Sequence, residues 1–201
     1  MSDTPRRTQK ERREATIARL LDATITCLIE EGYRDTSIAR ICVRAGVSHG
    51  GLFRHFPTRT ALVAAATDEI VRRHLRSIHE IIKAPVSRDD RVESLVGFFR
   101  EGARAPLTSA WREVIVAART NAELREAVTP AVQHFEDAIM QVAVEMPEAP
   151  PDAREFGTLL LSLMHVFDSE ASTISIFVTE DIESIRHTWA VELLKSALSE
   201  S

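Results

Sequence analysis

The chain has 201 residues, of which 44% are apolar and 27% charged, and its formal net charge is −5 at pH 7. This composition excludes disorder of the whole chain, and the two cysteines, Cys27 and Cys42, lie among apolar residues, which predicts buried free thiols rather than a disulfide framework. The Arg-rich N-terminus lacks a signal segment and the longest apolar stretch, residues 159–167, is too short to span a membrane, so a cytoplasmic protein is expected.

Helical spacing of the apolar residues runs along almost the whole chain. In chain order, this spacing predicts helices over about residues 13–31, 37–45, 48–56, 59–83, 88–104, 109–120, 122–146, 152–178 and 181–199. Residue types suited to helix ends stand at the first boundaries, namely Gly32, Thr36 or Ser37, Gly46 and Ser48. No segment shows the alternation of a strand. The sequence therefore predicts an all-α protein of about nine helices.

Residues 36–59, TSIARICVRAGVSHGGLFRHFPTR, carry the most informative pattern. Two short helices joined by a turn at Gly46 and Val47 are typical of a helix-turn-helix over about residues 37–56. The glycine tolerates a left-handed turn, and Ser48 can cap the second helix. That second helix is short, rich in glycine and polar on its outer face, which favours insertion into a DNA groove over a place in a core.

The segment from Ile17 to Leu62 also resembles the N-terminal domain of the TetR family of transcriptional regulators. The matching features are Gly32-Tyr33, Thr36-Ser37-Ile38, Ile41, Ala45-Gly46-Val47-Ser48, Gly50, Leu52-Phe53, His55-Phe56, Arg59 and Leu62. Phe53 stands where the family commonly has tyrosine and so cannot donate to a phosphate. Arg59 stands where lysine is common and keeps the charge. The resemblance implies three parts: a basic arm (1–12), a DNA-binding domain (13–60) and a helical domain for ligand binding and dimerisation (61–201).

The charge distribution supports a polyanion partner for the N-terminal part. Residues 1–60 carry 11 basic and seven acidic side chains, a net +4, whereas the remaining 141 residues carry −9. Five basic residues of the arm either follow the DNA backbone, enter a minor groove or form a disordered, solvated tail: Arg6, Arg7, Lys10, Arg12 and Arg13. The resemblance and the chemistry together predict phosphate contacts by Ser37, Arg44, Thr58 and Arg59. Contacts at or near the bases are expected from His49 and Arg54, with Ser48, Gly50, Gly51, Phe53 and His55 completing the DNA-binding surface.

The resemblance implies that the C-terminal part binds a ligand and forms the dimer, although its own residues are less informative. Candidate ligand-lining residues are Phe98, Phe99, Trp111, Ile115, Phe135, Ile139, Met164, His165, Phe167 and Asp168. Candidate dimer residues on the last two helices are Leu160, Met164, Phe167, Ile174, Ile182, Ile185, Trp189 and Leu193. His165 and Asp168 lie one turn apart, but no third ligand completes a metal pattern. We expect no metal, no cofactor and no catalytic residues.

Three functional hypotheses follow from the sequence. The first is a homodimeric repressor that leaves a palindromic operator when a small molecule binds. The second retains the DNA-binding head but uses it as an activator or without a ligand. The third, a helical enzyme or ligand carrier, has no nucleophile–base pair, HExxH motif or phosphate-binding loop in its favour.

Overall fold

The structure, a computed structural model, describes residues 8–147, 152–177 and 180–199, without the side chains of 173–177 and 180. Over these residues the chain forms nine α-helices and no strand, which confirms the predicted all-α fold. The helices are α1 (Gln9–Asp35), α2 (Ile38–Ala45), α3 (His49–Phe53), α4 (Arg59–Lys83), α5 (Arg88–Arg104), α6 (Pro106–Ala118), α7 (Ala122–Glu145), α8 (Ala153–Phe177) and α9 (Glu180–Ala197). No helix in the described ranges combines the length and hydrophobicity needed to cross a membrane.

Helix α1 begins four residues earlier than the apolar spacing predicts. Thr8 and Glu11 form a capping box, in which the Thr8 hydroxyl accepts from the Glu11 N–H (3.2 Å) and the Glu11 carboxylate accepts from the Thr8 N–H (2.7 Å). Lys10, Arg12 and Arg13 therefore lie on a helix rather than in a flexible arm. The other two arm residues, Arg6 and Arg7, lie outside the described residues.

The described residues form two compact units. One contains the residues up to Ile70 together with Ser109–Thr129, and the other contains Val71–Thr108 together with the residues from Pro130 onward. Most of α6 therefore belongs to the same unit as the three N-terminal helices, a grouping that the sequence does not suggest. The domain boundary after residue 60 stays a prediction.

The core of the first unit holds α1, α2 and α3 together. Leu20, Leu28, Ile41 and Leu52 are fully buried, and the packing of α2 against both α1 and α3 fixes the third helix in place. The two cysteines are buried and free, as predicted. Burial raises the pKa of both thiols because the charged thiolate would lose its hydration. Both thiols therefore stay protonated at neutral pH.

In the second unit, α5 packs against both α8 and α9, and Arg91 joins α5 to the end of α4. The Arg91 side chain is only 3% exposed. Its Nη1 donates to the carbonyl oxygens of Ile81 (3.1 Å), Ile82 (2.7 Å) and Ala84 (2.9 Å), and its Nη2 donates to that of Val86 (3.2 Å). One buried guanidinium thus donates to four carbonyls in and just after the last turn of α4, and two of them, those of Ile81 and Ala84, also accept from backbone N–H groups.

His74 is a second buried polar group of this unit. Its ring lies on α4 with its centroid 6.2 Å from that of Phe135, and its Nε2 is buried without a hydrogen-bond partner among the described residues. Burial lowers the pKa of His74 to about 4, because the charged imidazolium loses its hydration. The imidazole is therefore neutral at physiological pH.

We expect His74 to make the fold sensitive to mild acid. The pKa of His74 is about 4 in the folded chain and about 6.5 in the unfolded chain. Between these two pH values the unfolded chain therefore binds more protons than the folded chain. Stability should fall as the pH drops through this range, with His74 accounting for about 2 kcal/mol between pH 7 and pH 5. Urea unfolding at both pH values should show this loss in the wild type and a smaller loss in His74→Leu. His165→Gln, which changes an exposed histidine, should behave as the wild type, and equal losses in all three proteins would contradict the assignment.

Candidate nucleic-acid interface

The turn between α2 and α3 has the geometry that its sequence predicts. The Ser37 hydroxyl caps α2 by accepting from the Arg40 N–H (3.3 Å), and Gly46 ends that helix in the left-handed region with φ +61°. The Val47 N–H then bonds to the Cys42 carbonyl (3.0 Å). The Ser48 hydroxyl caps α3 by accepting from the Gly51 N–H at 3.1 Å. These bonds confirm the predicted helix-turn-helix.

Helix α3 presents a polar outer surface and is held by one apolar residue. Leu52 is fully buried, whereas His49, Gly50 and Arg54 are exposed and Phe53 is 47% exposed. The α-helix ends at Phe53, three residues before the predicted end. The two residues predicted to contact bases, His49 and Arg54, are therefore both open to a partner.

The two adjacent glycines of α3, Gly50 and Gly51, differ in how much space the fold leaves for a side chain. A Cβ at Gly51 would lie 3.0 Å from Val47 Cγ1 and 3.2 Å from Ser48 Oγ, so the close packing of the turn favours glycine there. A Cβ at Gly50 would have no neighbour within 4 Å. The missing side chain at Gly50 serves no contact in the described fold, and it leaves a surface that another molecule can approach closely.

The arginines of α2 are held by carboxylates at the end of α1. Arg44, a predicted phosphate contact, pairs with Glu30, and Arg40 pairs with Glu31 at 2.6 Å. Both arginines remain partly exposed, so a phosphate would have to compete with these carboxylates for them. Arg40 is not among the predicted phosphate contacts, although its position one turn before Arg44 places both guanidinium groups on the same face of α2.

Arg59 and Thr58 take structural roles at the start of α4. The Arg59 Nε donates to the Thr36 carbonyl (2.8 Å), its Nη2 donates to the Tyr33 carbonyl, and its guanidinium lies 4.1 Å from the centre of the Tyr33 ring. Arg59 thus anchors the turn before α2, and a phosphate contact from it stays a prediction. The exposed Thr58 hydroxyl accepts from the Ala61 N–H (3.0 Å) and leaves the N-terminus of α4 open toward solvent.

The predicted ligand-lining residues fall into different environments. Phe99, Ile139 and Phe167 are buried, and Phe98, Trp111, Ile115, Phe135, Met164 and Asp168 are half-buried. His165 is exposed, because it lies about 140° around α8 from the buried Leu160, and a ligand contact from it stays a prediction. His74, which no sequence pattern singled out, becomes a candidate because its buried Nε2 has no hydrogen-bond partner among the described residues and its ring neighbours that of Phe135. Among the described residues, no three His, Cys, Asp or Glu side chains are grouped as metal ligands.

The predicted dimer residues divide into buried and exposed groups. Leu160 and Phe167 are 0% and 3% exposed within the single chain, so they belong to its own core and cannot face a second copy. Helical periodicity identified their apolar face but not that α5 covers α8. Met164 is half-buried, and the side chain of Ile174 lies outside the described residues. The other four predicted residues are exposed: Ile182, Ile185, Trp189 and Leu193. Val166 of α8, which was not predicted, is exposed as well.

Comparisons with known proteins agree with this geometry. Residues 20–66 match the family model described as bacterial regulatory proteins, tetR family. The HTH-type transcriptional regulator Rv2912c of Mycobacterium tuberculosis is 34% identical over 194 residues, covering 96% of this chain and 99% of that protein. A transcriptional regulator from Rhodococcus sp. Rha1 has a similar fold, with a TM-score of 0.67, 19% identity and coverage of 92% and 99%. FadR from Bacillus subtilis, solved in complex with stearoyl-CoA, aligns with a TM-score of 0.60, 17% identity and coverage of 90% and 98%.

Proposed function

Because the chain belongs to the TetR family of transcriptional regulators, we propose that it is a homodimeric repressor that leaves a palindromic operator when a small molecule binds. Members of this family are regulators and not enzymes. The observation that carries the proposal is helix α3, a capped helix anchored by the buried Leu52 whose exposed residues include Gly50, a glycine that the described fold does not need. We expect the repressor to act in the cytoplasm.

DNA contact divides into positioning and reading. Ser37, Arg44 and Thr58 lie at or near helix ends and are exposed, which suits contacts to phosphates that fix the protein on the duplex. Arg40 joins this group as a candidate. His49 and Arg54 on the outer side of α3 would read base edges in the major groove, where arginine can bind the O6 and N7 atoms of guanine. Gly50 would let the backbone of α3 approach the bases.

The second copy would bind along α9. Its exposed apolar residues Ile182, Ile185, Trp189 and Leu193 recur at intervals of three and four and so form one stripe along the helix. Exposed tryptophan and isoleucine in one stripe are typical of a protein interface. A two-fold dimer would present two α3 helices to major-groove sites roughly 34–36 Å apart, or to a multiple of that spacing, and its operator would be a palindrome.

Operator binding with a Gly50 variant tests the proposal. The wild type should bind a palindrome selected from random DNA, with affinity that falls steeply as salt increases, because phosphate contacts release counterions. Gly50→Leu should fold normally and lose about 10- to 100-fold of operator affinity, equivalent to about 1–3 kcal/mol of groove contacts. Ala122→Leu introduces the same side chain at an exposed position of α7 and should bind as the wild type. Undiminished binding by Gly50→Leu, or no salt-sensitive binding by the wild type, would contradict the proposal.

The effector is tested separately. The stearoyl-CoA complex of B. subtilis FadR shows that a protein of this fold can hold a small molecule. We propose that the effector of this chain has an apolar body and one hydrogen-bonding group, which would meet the neutral imidazole of His74. A thermal-shift screen of such compounds should find one that stabilises the wild type and also releases it from the operator. Operator binding unaffected by every stabilising compound would favour the regulator that acts without a ligand.

A further inference from the structure

The short turn between α1 and α2 is held from two sides. Gly32, with φ +72°, breaks α1, and the Thr36 N–H and hydroxyl both return to the Gly32 carbonyl at 3.2 and 2.7 Å. The next residue is Ser37, the cap of α2. The position of this turn therefore sets where the helix-turn-helix begins.

Helix α6 reaches this turn through one carboxylate. Glu113 Oε2 accepts a hydrogen bond from the Tyr33 N–H at 3.0 Å, across 80 positions of sequence. A Cβ placed on Gly32 would lie 2.7 Å from the same oxygen. Gly32 thus has two roles: it adopts the left-handed conformation that ends the first part of α1, and it leaves the space that the Glu113 carboxylate occupies.

The carbonyl group of Tyr33 is held by α4. Arg59 donates to the Tyr33 carbonyl and stacks on the Tyr33 ring. The N–H of Tyr33 is therefore bound by an anion from α6, and its C=O is bound by a cation from α4. Both are charge-assisted hydrogen bonds, which are stronger and more directional than neutral ones. A shift of α6 relative to α4 would have to break or move one of them.

We propose that Glu113 is a positioning residue that fixes the helix-turn-helix to α6. This inference rests on the proposed function. In a dimer the two recognition helices must match one half-site spacing, and a head held rigidly discriminates between spacings better than a loose one.

The test measures discrimination between operator spacings rather than affinity alone. Wild type, Glu113→Ala, Glu113→Gln and Glu126→Ala are compared on the selected palindrome and on versions with one base pair inserted or removed at its centre. Glu113→Ala should reduce the preference for the correct spacing by about fivefold or more, the lower range of coupling between protein sites. Glu113→Gln retains an acceptor oxygen and should stay near the wild type. Glu126→Ala removes an exposed acid of the same unit and should have no effect.

A second readout does not depend on DNA. Hydrogen exchange of the Tyr33 amide should accelerate in Glu113→Ala and not in Glu126→Ala, because that N–H loses its acceptor. Wild-type binding with unchanged spacing preference in Glu113→Ala would overturn the positioning role while leaving the proposed function intact. An equal loss in Glu126→Ala would overturn it too, by showing a general charge effect. If the wild type bound no palindrome, the proposed function would fail and the role of Glu113 would fail with it.

Discussion

Replacing Ile185 and Trp189 with glutamate together should convert the proposed dimer into a monomer and reduce operator affinity by about 10²- to 10⁴-fold. The affinity falls because the second head loses the high local concentration that tethering gives it. Both side chains are about half exposed or more in the single chain, at 49% and 65%, so the substitutions should leave the fold of α9 intact. Sedimentation would report the assembly state, and titration of the operator would report affinity.

The matched control places two glutamates elsewhere on the same helix. Ser184 and Thr188 are exposed and lie about 145° and about 105° around α9 from the centre of the apolar stripe. Ser184→Glu combined with Thr188→Glu adds the same charge and should remain dimeric with wild-type affinity. A double variant at Ile185 and Trp189 that stayed dimeric would show that the stripe is not the interface.

Removing the Arg91 guanidinium should strongly destabilise the fold. Arg91→Met retains much of the apolar stem but removes the guanidinium donor from all four carbonyls, of which only those of Ile81 and Ala84 keep a backbone N–H donor. We expect a loss of about 3–5 kcal/mol in the free energy of unfolding, because hydrogen bonds to charged groups contribute about 1.5–3 kcal/mol each and buried unpaired acceptors add to the cost. The total free energy of unfolding of a native domain is only about 5–15 kcal/mol. Urea unfolding at pH 7 measures the difference.

Two further substitutions separate the role of the several guanidinium donors from that of the positive charge. Arg91→Lys keeps the charge but has a single nitrogen, which cannot reach carbonyls spread over Ile81 to Val86, so an intermediate loss is expected. Arg88→Met removes an exposed arginine of the same helix and should cost little. A loss below about 1 kcal/mol in Arg91→Met would contradict the importance of its hydrogen bonds.

The predictions that succeeded depend on local chemistry. Ser37, Gly46 and Ser48 determine helix ends through their own backbone and side-chain hydrogen bonds, so the sequence predicts the helix-turn-helix closely. The early start of α1 also has a local signal, because Thr8 and Glu11 have capping-box spacing, whereas the apolar pattern that predicts the start at residue 13 begins only later.

The predictions that failed depend on which elements meet. Periodicity identifies an apolar face on α8 but cannot tell whether α5 or a second copy covers it, which is why the prediction of Leu160 and Phe167 as dimer residues is wrong. The Glu113 bond to the Tyr33 amide joins residues 80 positions apart and has no local signal in the sequence. The inward position of Arg91 has one, because it lies beside Val92 and one turn before Leu95 on the apolar face of α5.

The difference between the two glycines of α3 gives a rule for altering operator preference by protein engineering. Gly50 has free space around it, so a combinatorial library can vary this position together with His49 and Arg54 and still sample folded proteins. Gly51 should be held constant, since any added side chain presses against Val47 and Ser48. New operator preferences should therefore be obtainable by varying the codons of His49, Gly50 and Arg54. With Gly51 unchanged, the selection reports DNA recognition rather than misfolding.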